Sequence, residues 1–413
     1  MKKKKILMLS DHALSTSGVG VQSRHLINGL LDTGEWTIRQ FGAAMKHENY
    51  DVVQVNPDFI IKPVDGFGTK ELLRQTLAIE KPDILFIFTD PRFFVWLFEM
   101  EDEVHQVCPI AWWHVWDNYP YPEFNSPFYE ATDLLNCHSH LTYTMLKEHF
   151  PEKTNFVPHS LPDELYRPLP QQEIDRLKPM IIGADRKDDF VVFWINRNAR
   201  RKRSSDVLMA WKIFVDRLKE EGKSDVTLLM HTDPRDPEGA NLFSVADELG
   251  IKESLVFSTD RVDFKQINAL HNISDCCLNI AYAEGFGLAT LESMACANPV
   301  IATKTGGLTR QVVDHRDGTE NGVALDITFK SLVGSQQVPY IYEDYCSVDA
   351  TANAIEKLYR MDPQKRKELG IKARNYVLSE FNHQNTVNAW HNSLKDLAEN
   401  WKSNYKKWTC EEM

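Results

Sequence analysis

Two series of short apolar runs, each alternating with stretches of helical period, constrain this fold more than any other feature. The first series comprises residues 6–10, 84–89, 110–113 and 134–137. The second begins at Phe190-Val191-Val192-Phe193-Trp194-Ile195 and continues through 226–230, 255–257, 277–280 and 299–303. Unbroken apolar runs this short suit parallel strands buried on both faces. Helical stretches intervene at 205–221, 243–249, 264–271 and 288–296. Strands alternating with helices predict a doubly wound parallel sheet, and the recurrence predicts two of them. The length agrees, since 413 residues exceed what one hydrophobic core normally serves.

Between the two series lies a proline-rich region (Pro158, Pro162, Pro168, Pro170) that reads as a connection. The linker is placed near the polar stretch 171–187. This predicts an amino-terminal domain over 1–170 and a carboxyl-terminal domain over 171–384. Beyond Ser347 the pattern is helical, and Trp390, Leu394, Leu397 and Trp401 recur three to four apart as one apolar stripe. A terminal helix of about 385–413 is expected to pack back on the first domain.

Composition narrows the function classes. A net charge of −12 gives no general electrostatic reason to bind nucleic acid or an anionic membrane. The lysine-rich start is followed by an apolar run that stops at Ser10-Asp11, too short for an export signal or a membrane span. Seven cysteines form no Cys-x-x-Cys pair, so free thiols in a reducing cytoplasm are expected. The histidines show no metal-ligand spacing.

Three loops carry chemistry. In Ala283-Glu284-Gly285-Phe286-Gly287-Leu288, a glycine turn leads from an apolar run into a helical pattern, with Glu292 further on. A turn opening a helix favours anions, because the first helical N–H groups are unpaired and partly positive. A glutamate facing a phosphate there would repel it, so Glu284 is expected to accept from hydroxyl groups instead. The second loop, residues 196–203, holds five cations, Arg197, Arg200, Arg201, Lys202 and Arg203, at a strand's carboxyl end. There Arg197 and Lys202 would neutralise a diphosphate, each charge-assisted bond contributing roughly 1.5–3 kcal/mol. The third, with Gly306 and Gly307, is another strand–glycine turn–helix start.

The first domain offers less. Ser17-Gly18-Val19-Gly20 joins the first run to a helical pattern but lacks the full dinucleotide spacing. Trp112-Trp113-His114-Val115-Trp116-Asp117-Asn118-Tyr119-Pro120-Tyr121-Pro122 is an aromatic segment after a strand. It reads either as a packed loop with a satisfied core histidine or as a sugar-stacking, proton-handling wall.

Glu284 and Glu292 with the intervening Gly285, Phe286, Gly287 and Leu288, the upstream Arg197…Lys202 pair, and Gly306-Gly307 resemble the signature region of retaining glycosyltransferases of family 4. The resemblance is specific in the second domain and loose in the first. It implies the GT-B fold, an α/β architecture of two Rossmann-like doubly wound parallel-sheet domains facing across a cleft. It further implies a nucleoside-diphosphate sugar donor, with no cofactor and no obligatory metal. Glu284 would bind donor-sugar hydroxyls, Glu292 the ribose, and Arg197 and Lys202 the diphosphate, with backbone N–H groups of Phe286–Leu288. Gly18 and Gly20 would let the first-domain loop approach the donor, and His114 would stand near the anomeric centre. The acceptor would be a glycan, a lipid-linked sugar or a small molecule, and the family leaves room for peripheral membrane contact.

Two other readings use the same residues. One is a glycosyltransferase acting on hydroxylated bases in DNA, with the basic run serving nucleic acid. The other is a nucleotide-sugar-binding protein without turnover. The acidic chain weighs against the first, and intact Glu284, Lys202 and Arg197 against the second.

Overall fold

The computed structural model describes residues 2–401. The chain divides into two compact units. The first unit takes Met1–Ser160, Gly334–Ile341 and the described residues from His383, and the second takes Leu161–Val333 and Tyr342–Asn382.

Among the described residues of the first unit, eight strands form one sheet. They are β1 (Lys4–Asp11), β2 (Trp36–Ala43), β3 (Val53–Asn56), β4 (Phe59–Pro63), β5 (Ile84–Thr89), β6 (Ile110–His114), β7 (Leu134–Cys137) and β8 (Thr154–Phe156). Their spatial order is β3-β4-β2-β1-β5-β6-β7-β8, parallel apart from the β3–β4 edge pair. The order reverses direction between β1 and β5, the switch point where open α/β sheets bind ligands. There Ser17 caps the helix Gly18–Asp32, its Oγ accepting from the Gly20 N–H at 3.0 Å.

The apolar stripe of the terminal helix lies in this unit's core. That helix spans His383–Asn400, and its Trp390 packs on Phe86 and Trp113 at ring separations of 4.8 and 5.3 Å. Trp401 is buried just beyond the helix end. The remainder of the expected helix, 402–413, lies outside the described residues, as does Cys410. The other six cysteines are buried and free.

The second unit contains β9 (Phe190–Ile195), β10 (Val226–His231), β11 (Leu255–Ser258), β12 (Cys276–Asn279), β13 (Val300–Thr303) and β14 (Gly322–Leu325). The sheet order is β11-β10-β9-β12-β13-β14, all parallel. Counting from β9 this is 3-2-1-4-5-6, the Rossmann order. Trp194, Trp211 and Phe214 dominate the core between this sheet and the helices Ser204–Glu220 and Val348–Arg360. A ribbon of β15 (Phe329–Val333) and β16 (Ile341–Tyr345) follows β14. The stretch 171–187, read as linker, holds the helix Gln171–Ile182, whose Ile174, Leu177 and Ile181 pack on the second sheet. Its spaced apolar residues form a narrow stripe amid charge, which hid the helix. No helix of the described residues is long and apolar enough to cross a membrane.

Helices Gly18–Asp32 and His383–Asn400 meet where Gly29 has no side chain. A Cβ there would lie 2.4 Å from a methyl of Val387. Gly29→Ala should therefore destabilise the protein by about 1–3 kcal/mol through overpacking. Adding Val387→Ala should recover part of that loss, as read from the urea midpoint. Additive effects of the two substitutions would show that the contact is not the cause.

Candidate functional site

The switch point of the second sheet lies between β9 and β12, and both outstanding loops leave the sheet there. Residues 196–203 follow β9, and 280–287 follow β12. Their backbones are joined, with the Tyr282 N–H donating to the Arg201 carbonyl at 3.2 Å. Tyr282 in turn accepts from the Asp344 N–H of β16 at 2.9 Å.

Glu284 is the electrostatic centre of this crossing. Its Oε2 bonds Lys202 Nζ and lies 3.4 Å from an Arg201 guanidinium nitrogen. Arg201 also donates to the Ala283 carbonyl at 3.1 Å. The Lys202 and Glu284 side chains are 9% and 11% exposed, so this charge pair sits largely out of water. Two cations holding one carboxylate resolve the conflict expected at a glutamate beside an anion-binding turn.

Arg197 is placed differently from the expectation. Its guanidinium binds Asp236 at 2.7 and 3.2 Å and Glu238 at 3.1 Å, with 57% of the side chain exposed. The Asp236 bond holds the Arg197 pKa above its ordinary value. It is Arg201, not Arg197, that joins Lys202 at Glu284. The nearer carboxylates of residues 236 and 238 capture Arg197, and sequence spacing gives no sign of them. Of the remaining cations, Arg200 pairs with Glu343 and lies over the Tyr282 ring. Arg203 is buried, bonding Asp206 at 2.7 Å and the Cys346 carbonyl at 3.1 Å. Each cation of the run thus has a carboxylate partner, unlike a solvated run awaiting nucleic acid.

The two glycine turns interlock. The Gly307 N–H donates to the Glu284 carbonyl at 3.0 Å. A Cβ on Gly307 would lie 2.5 Å from both the Gly285 oxygen and the Phe286 Cα. Gly287 caps the helix Leu288–Ala295 with φ of 91°, a left-handed conformation that favours glycine. Gln311 Nε2 fastens the turn by donating to the Phe286 carbonyl at 2.7 Å. The Phe286 ring is buried edge-on against Phe381, and Leu288 is partly buried, so both side chains are packing residues. The second turn opens a 3-10 turn at Gly306–Leu308 and a single helical turn at Thr309–Val312. Of the two glycine turns, the first opens the longer helix, Leu288–Ala295.

Glu292, on the second turn of that helix, faces His271 at 3.4 Å. The Glu292 side chain is 14% exposed while that of His271 is fully buried. Three further groups escaped the sequence reading. Asn196 Nδ2, Thr232 Oγ1 and Asn279 Nδ2 are buried without a hydrogen-bond partner among the described residues. Each residue sits at or just past the carboxyl end of β9, β10 or β12. Buried polar atoms left unpaired cost about 1–3 kcal/mol each. The available signal was their position, the polar residue ending or following an apolar strand.

In the first unit Gly18 is exposed at the start of its helix, while Gly20 is packed tightly. A Cβ on Gly20 would meet Ser15 Oγ at 2.2 Å and the His12 carbonyl at 2.7 Å. His114 ends β6 fully buried, with Nε2 hydrogen-bonded to Tyr129 Oη at 2.9 Å. Its Nδ1 has no partner among the described residues, and burial pushes its pKa well below the usual imidazole range. Trp112, Trp113 and Trp116 are buried too, so they belong to the core and offer no stacking wall. They lie in or beside a central strand, where large rings are covered by helices.

Residues 180–376 match the model of the family described as Glycosyl transferases group 1. A D-inositol 3-phosphate glycosyltransferase of Corynebacterium jeikeium is 28% identical over 169 residues, 38% of this chain and 38% of that protein. The match thus spans little more than a third of that relative. Among solved structures, sucrose-phosphate synthase from Thermosynechococcus elongatus superposes with a TM-score of 0.73 at 17% identity, covering 96% of this chain and 99% of the other. Anabaena HepE in complex with UDP and glucose gives 0.69 at 16% identity, covering 95% and 100%. At such identities the likeness is one of fold, the GT-B architecture of two Rossmann-like units.

Removing one member of a largely buried ion pair leaves the other uncompensated, at about 3–5 kcal/mol. Lys202→Met and Glu284→Gln should each destabilise the unliganded protein on that scale. The double variant should cost clearly less than the sum, as measured by urea unfolding of all four proteins. Strict additivity would mean that the pair is not coupled.

Proposed function

We propose that the chain, whose second unit carries a glycosyl transferases group 1 domain, moves a sugar from a nucleoside diphosphate to an acceptor hydroxyl. The transfer proceeds with retention at the anomeric carbon, as in family 4. The observation that carries this reading is the closure of Lys202 and Arg201 on Glu284 beside the interlocked glycine turns, at the second sheet's switch point. Cations, a helix N-terminus and a hydroxyl-accepting carboxylate together suit a diphosphate bonded to a sugar. The unpaired Asn196, Thr232 and Asn279 groups suit the nucleoside.

The departing diphosphate gains negative charge in the transition state, so preorganised cations act most strongly there. Lys202 and Arg201 supply that charge directly. Arg197 joins them by leaving Asp236 and Glu238. Backbone N–H groups of the 286–288 turn add to it, and no metal is needed. Glu284 orients donor-sugar hydroxyls while balanced by the two cations, and Glu292 takes the ribose. Gly18 and Gly20 shape the first-unit loop that approaches the donor. The departing phosphate draws the acceptor proton on the same face of the sugar. His114, neutral because it is buried, orients the substrate through Nδ1 and carries no charge. The DNA-modifying reading loses its support, because the basic run is neutralised by the chain's own carboxylates. UDP, present in the HepE structure of the same fold, is the first donor base to test.

A thermal-shift panel of UDP-, GDP- and ADP-sugars should single out one donor. At a hundredfold excess over Kd it should stabilise by about 2.7 kcal/mol. With that donor, Lys202→Ala and Glu284→Ala should each lower turnover on the order of 10²–10³-fold, the scale of a single preorganised group. Near-normal turnover in both would end this reading.

A further inference from the structure

The β15–β16 ribbon forms a sheet of its own, and the transfer step gives it no part. Yet the last residues of β16, Glu343, Asp344 and Tyr345, bond to or stack on all three loops that carry the chemistry.

Asp344 holds two of those loops at once. Its backbone N–H donates to the Tyr282 carbonyl at 2.9 Å, two residues before Glu284. Its Oδ2 accepts from Thr305 Oγ1 at 2.7 Å. Thr305 immediately precedes the glycine pair whose Gly307 N–H reaches the Glu284 carbonyl. Asp344 thus pins the Glu284 turn directly on one side and through Thr305 on the other. Its Oδ1 accepts from Lys330 of β15 at 2.8 Å, which holds the carboxylate within the ribbon as well.

The neighbours of Asp344 secure the cation loop. Glu343 is buried, pairs with Arg200 and accepts from Tyr345 Oη at 2.8 Å. The Tyr345 ring stacks on Tyr282 at 4.8 Å, with the Arg203 guanidinium 5.3 Å from its centre. Just past the strand, the Cys346 carbonyl accepts from Arg203 at 3.1 Å. Arg200 and Arg203 flank Arg201 and Lys202 in the chain. The ribbon therefore fixes the loop on both sides of the two cations that meet Glu284.

A ribbon that served packing alone would present apolar side chains to these loops. β16 instead presents two carboxylates, each directed at a different loop. Placement matters at such a site, because a misplacement of about 1 Å can cost about 10²-fold in rate. We propose that β16 is a strut that sets the spacing of the three loops. Asp344 is the positioning residue for Glu284, and Glu343 is the one for the cation loop. Their effect on turnover rests on the glycosyltransferase reading, whereas their hold on the loops does not.

Hydrogen exchange of the unliganded full chain tests the hold. Asp344→Ala should speed exchange over 282–287 and 303–308 by about tenfold, the scale of one lost charge-assisted hydrogen bond. Exchange in β10 should stay as in the wild type. Asp344→Asn keeps an acceptor for Thr305 and should restore most of the protection. Glu343→Ala should loosen 197–203 in the same way, while Leu332→Ala, on an exposed side chain of β15, should change nothing. With the donor found by the thermal-shift panel, Asp344→Ala should lower kcat by about tenfold or more and move the donor KM much less. Unchanged exchange in both Asp344 loops, or a rise spread evenly over the second unit, would overturn the proposal. So would a wild-type kcat in Asp344→Ala. A wild type inactive with every donor would end the glycosyltransferase reading, and the exchange result would still decide the strut.

Discussion

The loop site of the second unit depends on one close backbone approach, that of Gly307 to Gly285 and Phe286. A side chain at 307 would push the turn after β13 away from the turn after β12. The Gly307 N–H would then lose the Glu284 carbonyl, and the Glu284 side chain would lose its fixed origin. Because Glu284 is anchored through its backbone, its carboxylate can stay within reach of Lys202 and Arg201. Those two are in turn tied to the loop, since the Arg201 carbonyl accepts from Tyr282. A charge site assembled this way is preorganised, with its dipoles set before any ligand arrives.

The same site shows how an acidic chain can hold a dense run of cations. Each is balanced by a carboxylate, but the balances differ in kind. The Arg197 guanidinium is more than half exposed, but its partner Asp236 is only 12% exposed and binds it through both oxygens, so only the Glu238 pair is open to solvent on both sides. The Arg203 contacts are buried and structural. Lys202 lies between these extremes, largely desolvated yet directed at Glu284. A ligand that brings both negative charge and hydroxyl groups can satisfy lysine and glutamate together, whereas a bare anion satisfies only one.

How much could be read from the sequence follows from burial. Strands covered on both faces, such as β5, β9 and β12, are unbroken apolar runs and were legible. β2 was not, because Thr37, Arg39 and Gln40 interrupt its apolar residues. β3 and the β15–β16 ribbon are short and partly exposed, so no apolar run marks them. The glycine turns were legible because a local motif encodes them. The partners of Arg197 and Arg200 were not, since Asp236 and Glu343 meet them only through the fold. The aromatic segment after residue 110 divides by burial. Strand β6 continues to His114, which puts Trp112 and Trp113 in the core, while Tyr119 further along the same segment is half exposed.

That division bears on how readily different parts of this chain can change. The second-unit loops lie at the ends of neighbouring strands, and each is tied to another through backbone bonds. A substitution there disturbs several contacts at once. A cavity in the first unit is built otherwise, from the 119–123 segment, the helix His140–His149 and Tyr340. Tyr340 belongs to the short stretch Gly334–Ile341, which counts with the first unit although the residues on either side count with the second. Its lining residues are side chains on separate segments, and Tyr119 is half exposed. Changing one therefore reshapes the cavity at little cost to the fold. A pocket of this kind leaves no linear motif in the sequence.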